Sequence, residues 1–273
     1  NLTWQTKSSV AGKVQYAEKD GDTFPAEYFE AQAVSEPAVN NSGYYVNKAT
    51  IENLKPDTEY VYRLVNENIS ELYSFKTDKA GDFSFLLAGD PQIGSSGFDL
   101  QIWENSLSKI TQQFPQSNLL VTAGDHAEKG KFEQFEIYFA PLKMKSLTNA
   151  TTVGNHDEKT SAYSEQFNNP NTKTDGTVYG ESEAGENYWF VYNNVLFLCL
   201  NTNNTNTQEH KTFMEKAIAK NPDVDWKVAV FHHCLFSSGA YWFSPEIEQR
   251  RNELAPILTD LGIDVVFNGH EHR

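Results

Sequence analysis

Val265-Val266-Phe267-Asn268-Gly269-His270-Glu271-His272 is a short apolar run that ends in Gly and then in two histidines one residue apart. Such a run reads as a buried strand whose carboxyl end delivers polar groups. The pattern recurs: Phe83 to Ala88 precede Asp90, Leu119 to Ala123 precede Asp125, and Val228 to Phe231 precede His232. Gly154-Asn155-His156-Asp157 adds a further block of the same residue types. Side by side, such strand ends form the ligand crevice of an open α/β sheet, so the series is read as one site. Amphipathic stretches separate the runs. Leu100 to Phe114 sets Ile102, Trp103, Leu107 and Ile110 on one helical face, and Glu209 to Ala219 and Glu246 to Leu261 are patterned similarly. Strand and helix alternating several times predict a layered α/β domain.

The chemistry of the series is that of metal ligands. Two cations held about 3.5 to 4 Å apart need a bridging carboxylate, neutral imidazoles and amides around them, and an open position for water. Asp125, directly after its strand, is the best bridge; Asp90 suits one metal and Asn155, through its amide oxygen, the other. His270 and His272 stand two apart on an extended segment and suit two different metals, and His232 adds a further imidazole. His232 and His233 both follow their strand and face opposite sides, so residue type alone leaves that choice open. His156 is expected to stay uncoordinated as an acid, with Asp157 fixing its tautomer. A lone Gly-Asp after a strand is more often a turn than a ligand; the joint order of the blocks carries the reading.

The first third has a different texture. From Leu2 to about Lys76, β-type runs (Gly12 to Ala17, Glu59 to Val65, Glu71 to Phe75) are split by Asp, Gly, Pro and Asn turns, without helical periodicity. This predicts a small antiparallel β-sandwich over residues 1–78, with Thr77 to Asp82 as linker and a catalytic domain over residues 79–273. Asn168 to Glu186, rich in Asn, Thr, Gly and Glu, reads as loop.

Composition bounds the function. The formal charge of −15 argues against a nucleic-acid surface, which needs clustered Lys and Arg. No stretch approaches a membrane span, and 273 residues suffice for two domains. Cys199 and Cys234 sit in or beside apolar runs and read as buried thiols, leaving the compartment open.

The blocks Asp90, Gly124-Asp125, Gly154-Asn155-His156-Asp157, His232 and Gly269-His270-Glu271-His272 resemble the signature of calcineurin-like metallophosphoesterases. Ala49 to Arg63, with its Leu54 anchor, Pro56-Asp57 turn and alternating Tyr60-Val61-Tyr62, resembles a corner of fibronectin type III domains. Together the two parts are most similar to the purple acid phosphatases and their bacterial two-domain relatives. That resemblance implies that Asp90, Asp125 and His272 hold one metal and Asp125, Asn155, His232 and His270 the other, favouring His232 over His233. It implies an acid phosphatase-like hydrolase of phosphomonoesters, acting by attack of hydroxide generated at the metals, with His156 as acid or transition-state stabiliser. It also implies a secreted or cell-surface location and a small phosphorylated substrate, and it leaves the oligomeric state open. Relatives continue beyond the last metal-binding block, so the catalytic domain is expected to be incomplete at Arg273.

The departures are as specific. Where many relatives carry a ligand His two residues after the first Asp, this chain has Gln92. The purple enzymes place a Tyr three residues after the bridging Asp, and here that residue is Glu128, which favours a divalent pair (Zn, Mn or Fe) over a mixed Fe(III) centre. Downstream of His232, Tyr241 stands where a phosphate-binding His is common. Gln92, Glu128, His233, Asn201 and Tyr241 are therefore candidates for supporting or substrate-contacting roles, with Asn201 more naturally a structural turn. His126 and His210 read as surface or structural, and Tyr188, Trp189 and Phe190 as core strand. With Gln92 and Glu128 replacing stronger ligands, the His272 metal is expected to be the weaker. Two other functions fit the motif: phosphodiester hydrolysis at the same site, and an extracellular binding protein whose site has decayed.

Overall fold

The computed structural model describes residues 1–239 and 243–272. Six antiparallel strands come first: β1 (Leu2–Thr6), β2 (Lys13–Glu18), β3 (Phe29–Pro37), β4 (Tyr45–Ala49), β5 (Glu59–Val65) and β6 (Tyr73–Lys76), in the order β1-β4-β3-β2-β5-β6. β3 changes partner midway, pairing Phe29 to Gln32 with β2 and Ala33 to Pro37 with β4, so the sheet folds over itself around Val14, Ala49 and Tyr62. At the Leu54–Tyr60 corner the phenol oxygen of Tyr60 accepts the Lys55 N–H at 2.9 Å, which pins the turn to the strand it enters.

The rest is two sheets face to face. One is parallel, β7 (Phe85–Ala88), β8 (Leu119–Thr122) and β9 (Thr148–Thr151). The other runs β10 (Tyr188–Tyr192), β11 (Val195–Leu200), β12 (Trp226–Phe231) and β13 (Val265–Asn268), parallel but for β10. Alternation along each strand sorts its residues between two cores. Leu119, Val121, Phe197, Cys199, Val228 and Val230 point into the space between the sheets, where Phe85 meets Phe197 and Phe267 edge-on at 5.6 Å. Leu86 and Leu120 point outward to α1 (Asp99–Gln113), α2 (Phe132–Phe139) and α3 (Ala162–Gln166). Leu196, Leu198, Leu200, Ala229 and Phe231 point outward to α4 (Thr207–Lys220) and α5 (Pro245–Asp260). Strands buried on both faces read as continuous apolar runs, which is why these were legible. Each fully buried Leu or Phe contributes roughly 1.5–3 kcal/mol.

Three features depart from the sequence reading. The crevice is formed by the ends of two facing sheets rather than of one open sheet. β9, Thr-Asn-Ala-Thr, is too polar to read as a core strand, and it lies at the edge of its sheet, where one side of its ladder is unpaired. α2 is a two-turn aromatic helix whose periodicity is too short to register. The N-terminal strands meet the second part through Glu165 of α3, whose buried carboxylate accepts the backbone N–H and side-chain amide of Asn40, and through Tyr62, which donates to the Lys145 carbonyl at 2.8 Å.

Candidate metal centre

Five strand ends converge at one edge of the two sheets: the residues after β7, β8, β9, β12 and β13. Asp90 (φ 52°), Asp125 (φ 53°), His270 (φ 75°) and His272 (φ 54°) all adopt left-handed backbone. Each costs a side-chain-bearing residue on the order of 1–3 kcal/mol, a cost that persists where the surroundings over-determine it. Here the surroundings are reciprocal loop contacts: Asp90 N–H donates to Gly124 O at 3.2 Å, Gln92 N–H to Asp125 O at 2.8 Å, and Gly269 N–H to His232 O at 3.1 Å. The glycine before Asn155 is a matter of space. A Cβ on Gly154 would stand 2.1 Å from Asp125 Oδ1 and 2.2 Å from Asp125 N. Gly154→Ala is therefore expected to lower metal content and to destabilise the fold by about 1–3 kcal/mol, read by elemental analysis and urea unfolding; unchanged values in both would refute the close approach.

His232 is the centre of the cluster. Its Nδ1 lies 2.8 Å from the Ala123 carbonyl, which only accepts, so Nδ1 carries the hydrogen. Nε2 then faces Asn155 Oδ1 at 3.0 Å, His270 Nδ1 at 3.1 Å and Asp125 Oδ2 at 3.2 Å. One ligand atom each from Asp125, His232 and His270 lies within 4.8 Å of the others. Lone pairs aimed at one another repel unless something positive stands among them. Burial opposes charging the ring, yet the hydrogen bond and charge of Asp125 outweigh it and raise the pKa of His232. Imidazole, carboxylate and amide oxygen together suit a first-row transition metal.

Asp90 and His272 form the outer part. Both Asp90 carboxylate oxygens accept the His270 N–H, at 3.0 and 2.9 Å, and His272 Nε2 stands 3.4 Å from Asp90 Oδ1 with its side chain 52% exposed. Burial raises the pKa of Asp90, against the lowering fields of His232 and the His270 N–H. Among the described residues, Asp90 and His272 do not close with Asp125 into a second cluster as tight as the first.

His156 stands beside the cluster, its side chain 25% exposed. Its backbone N–H donates to Asp125 Oδ1 at 2.8 Å, which orients the carboxylate, and its Nε2 lies 3.9 Å from Asp125 Oδ2. The expected Asp157 partnership does not form. His156 Nδ1 lies 2.7 Å from the Glu128 carbonyl, 3.5 Å from the Glu128 carboxylate and 3.1 Å from Lys159 Nζ. Asp157 begins a short 3-10 turn that carries its side chain inward. There it accepts the N–H groups of Ala127 and Gly154, each at 3.1 Å, and meets His126 Nδ1 at 2.9 Å. His126, fully buried, spans from Asp157 to Thr122 Oγ1 at 2.7 Å, so it is structural. Its position directly after Asp125 was the only sequence signal for this buried pair.

The remaining candidates fall elsewhere. His233 Nδ1 meets Thr202 Oγ1 at 2.9 Å, outside the cluster, and burial with the nearby Arg250 charge pushes its pKa down to about 2. Asn201 is buried and donates to Gly180 O at 3.1 Å, Ser182 Oγ at 2.8 Å and Gly185 O at 3.0 Å. Gln92 joins the centre through its backbone. His210 is buried, with Nε2 2.8 Å from Asn204 O. Tyr241 lies outside the described residues. Cys199 and Cys234 are buried thiols, each with its pKa pushed up to about 12 by burial.

Comparison with known proteins adds three findings. The model of the family described as calcineurin-like phosphoesterase matches residues 83–273, and that of the purple acid phosphatase N-terminal domain matches residues 1–77. Among curated proteins, purple acid phosphatase 23 of Arabidopsis thaliana is 24% identical, over 97% of this chain and 66% of its own length. Purple acid phosphatase 17 of the same plant is 38% identical over 53 residues, 19% of this chain and 15% of its own. Purple acid phosphatase PPD1 from yellow lupin (Lupinus luteus) seeds shares the fold, with a TM-score of 0.69 and 18% identity over 98% of this chain and 55% of that one. The chain thus spans 66% or less of each of these proteins.

Proposed function

The chain belongs to the calcineurin-like phosphoesterase family, and from that premise we propose that it is a two-metal hydrolase of phosphomonoesters. The observation that carries the reading is the convergence of Asp125 Oδ2, Asn155 Oδ1 and His270 Nδ1 on His232 Nε2, with His156 alongside. Asp125, Asn155, His232 and His270 would hold the inner metal, and Asp90, Asp125 and His272 the outer. Bound cations lower the pKa of water and neutralise charge on the phosphoryl oxygens. Those cations would also offset the site's own carboxylates, so that a chain of net charge −15 accepts an anion.

The residues do the rest. His156 N–H and Ala123 O fix the bridging carboxylate and the His232 ring, so little reorganisation is needed as charge develops. The Glu128 carbonyl and carboxylate and Lys159 Nζ surround His156 Nδ1, which leaves Nε2, on the Asp125 side, as the ring atom placed to pass a proton to the departing oxygen. Glu128 engages His156 where the purple enzymes place a Tyr, which supports a divalent pair over a ferric one, and the exposed His272 supports weaker holding of the outer metal. An extracellular or cell-surface place of action goes with this reading, on the resemblance alone.

With a monoester and a diester of one chromophore, metal-loaded protein is expected to turn over the monoester faster and to lose that activity to a chelator. His156→Ala is expected to lower kcat by about 10²–10⁴-fold with metal content unchanged. An unaltered kcat would remove His156 from the mechanism, and fewer than about one bound metal per chain in wild type would point instead to a binding protein.

A further inference from the structure

A second pocket lies at the same edge of the four-stranded sheet. It measures about 240 Å³ and sits between the loop after β11, the first turn of α4 and the N-terminal half of α5, lined by Thr202, Asn204, Thr205, Thr207 and Arg250 among others. The beginnings of two helices, of 14 and 16 residues, border it, and their dipoles favour negative charge there. Arg250, on α5, is largely covered, with 14% of its side chain exposed.

One imidazole separates this pocket from the metal centre. Thr202, on the pocket wall, holds His233 Nδ1 at 2.9 Å, and the His233 ring centroid lies 5.1 Å from that of His270. The charge of Arg250 is felt on the His270, His233 and Cys234 side of the wall as well. Glu246 and Glu253 also line the pocket. Glu246 is 76% exposed and 3.8 Å from the guanidinium, a long contact that a ligand anion can replace, and Glu253 is engaged by Gln249 Nε2 at 3.1 Å.

We propose that this pocket receives a second anionic group of the substrate, a carboxylate or a phosphoryl group, with Arg250 as its counter-ion. The inference rests on the phosphomonoester reading: everything on such a substrate beyond the reacting phosphoryl is leaving group, so the pocket selects leaving groups that carry their own negative charge. Guanidinium binds either group through two parallel N–H bonds, and the Thr205 and Thr207 hydroxyls supply further donors.

The test uses phosphonates, which bind without being hydrolysed. Calorimetry on the metal-loaded full chain compares alkylphosphonates with ω-phosphonocarboxylates and α,ω-bisphosphonates of matched length. The doubly anionic ligands are expected to bind about tenfold tighter at the best length. Arg250→Met, which keeps the apolar stem, should erase that preference, the doubly anionic ligands losing about tenfold more affinity than the alkylphosphonates; Arg250→Lys should keep part of it, and Glu246→Gln should widen it. Whichever second group gains more identifies the preferred anion. Equal affinities at every length, or an Arg250→Met loss shared by all ligands, would overturn the proposal. Preference for the doubly anionic phosphonates without hydrolysis of any phosphomonoester would instead overturn the catalytic reading and leave the pocket standing.

Discussion

Asp125→Asn is expected to reduce phosphomonoester turnover by about a thousandfold or more and to empty at least the inner metal position. The substitution preserves shape, and the amide oxygen can still accept the His156 N–H that Oδ1 accepts at 2.8 Å. What it removes is the negative charge on Oδ2, 3.2 Å from His232 Nε2, in a buried place where charge is screened little. An NH₂ turned toward Nε2 and Asn155 Oδ1 would donate where a cation has to stand. A thousandfold corresponds to roughly 4 kcal/mol of lost transition-state stabilisation, a reasonable share for a ligand serving both metals. Kinetics on 4-nitrophenyl phosphate together with metal per chain decide the matter. Activity within tenfold of wild type and undiminished metal would show that Asp125 bridges nothing.

Asp157→Ala is expected to act mainly on stability, costing about 3 kcal/mol or more. The carboxylate is fully buried and accepts the N–H groups of Ala127 and Gly154 and the ring of His126, tying the loop after β8 to the loop after β9. Alanine would leave buried donors without acceptors, at about 1–3 kcal/mol for each unsatisfied group. Because Asp125 and Asn155 stand on those two loops, the surviving folded fraction should also bind metal more weakly. His156→Ala, which touches none of this network's acceptors, should unfold close to wild type. Urea titration of the two variants separates the roles: a loss below about 1 kcal/mol for Asp157→Ala would mean that the network relaxes freely.

The motif glycines and their neighbours were legible because the signal is local. An apolar run, a glycine and a carboxylate or imidazole describe a strand end within eight residues, and β7, β8, β12 and β13 lie where those runs stand. β9 escaped because an edge strand tolerates Thr and Asn. Adjacency in sequence also misled: Asp157 follows His156, but the turn between them sends the two side chains in opposite directions, and each finds a partner some thirty residues upstream.

The sequence by itself determined the layered α/β architecture behind a β-rich first part and the set of polar residues at its strand ends, because burial of alternating faces is written residue by residue. Only the tertiary structure decided which atoms meet. His232 rather than His233 enters the cluster because one ring is held by the Ala123 carbonyl across the two sheets and the other by Thr202. Glu128 rather than Asp157 engages His156, and Arg250 comes to line the same pocket as Thr202, which holds His233, for the same reason: contacts between distant segments depend on how the sheets face each other, which no local spacing encodes.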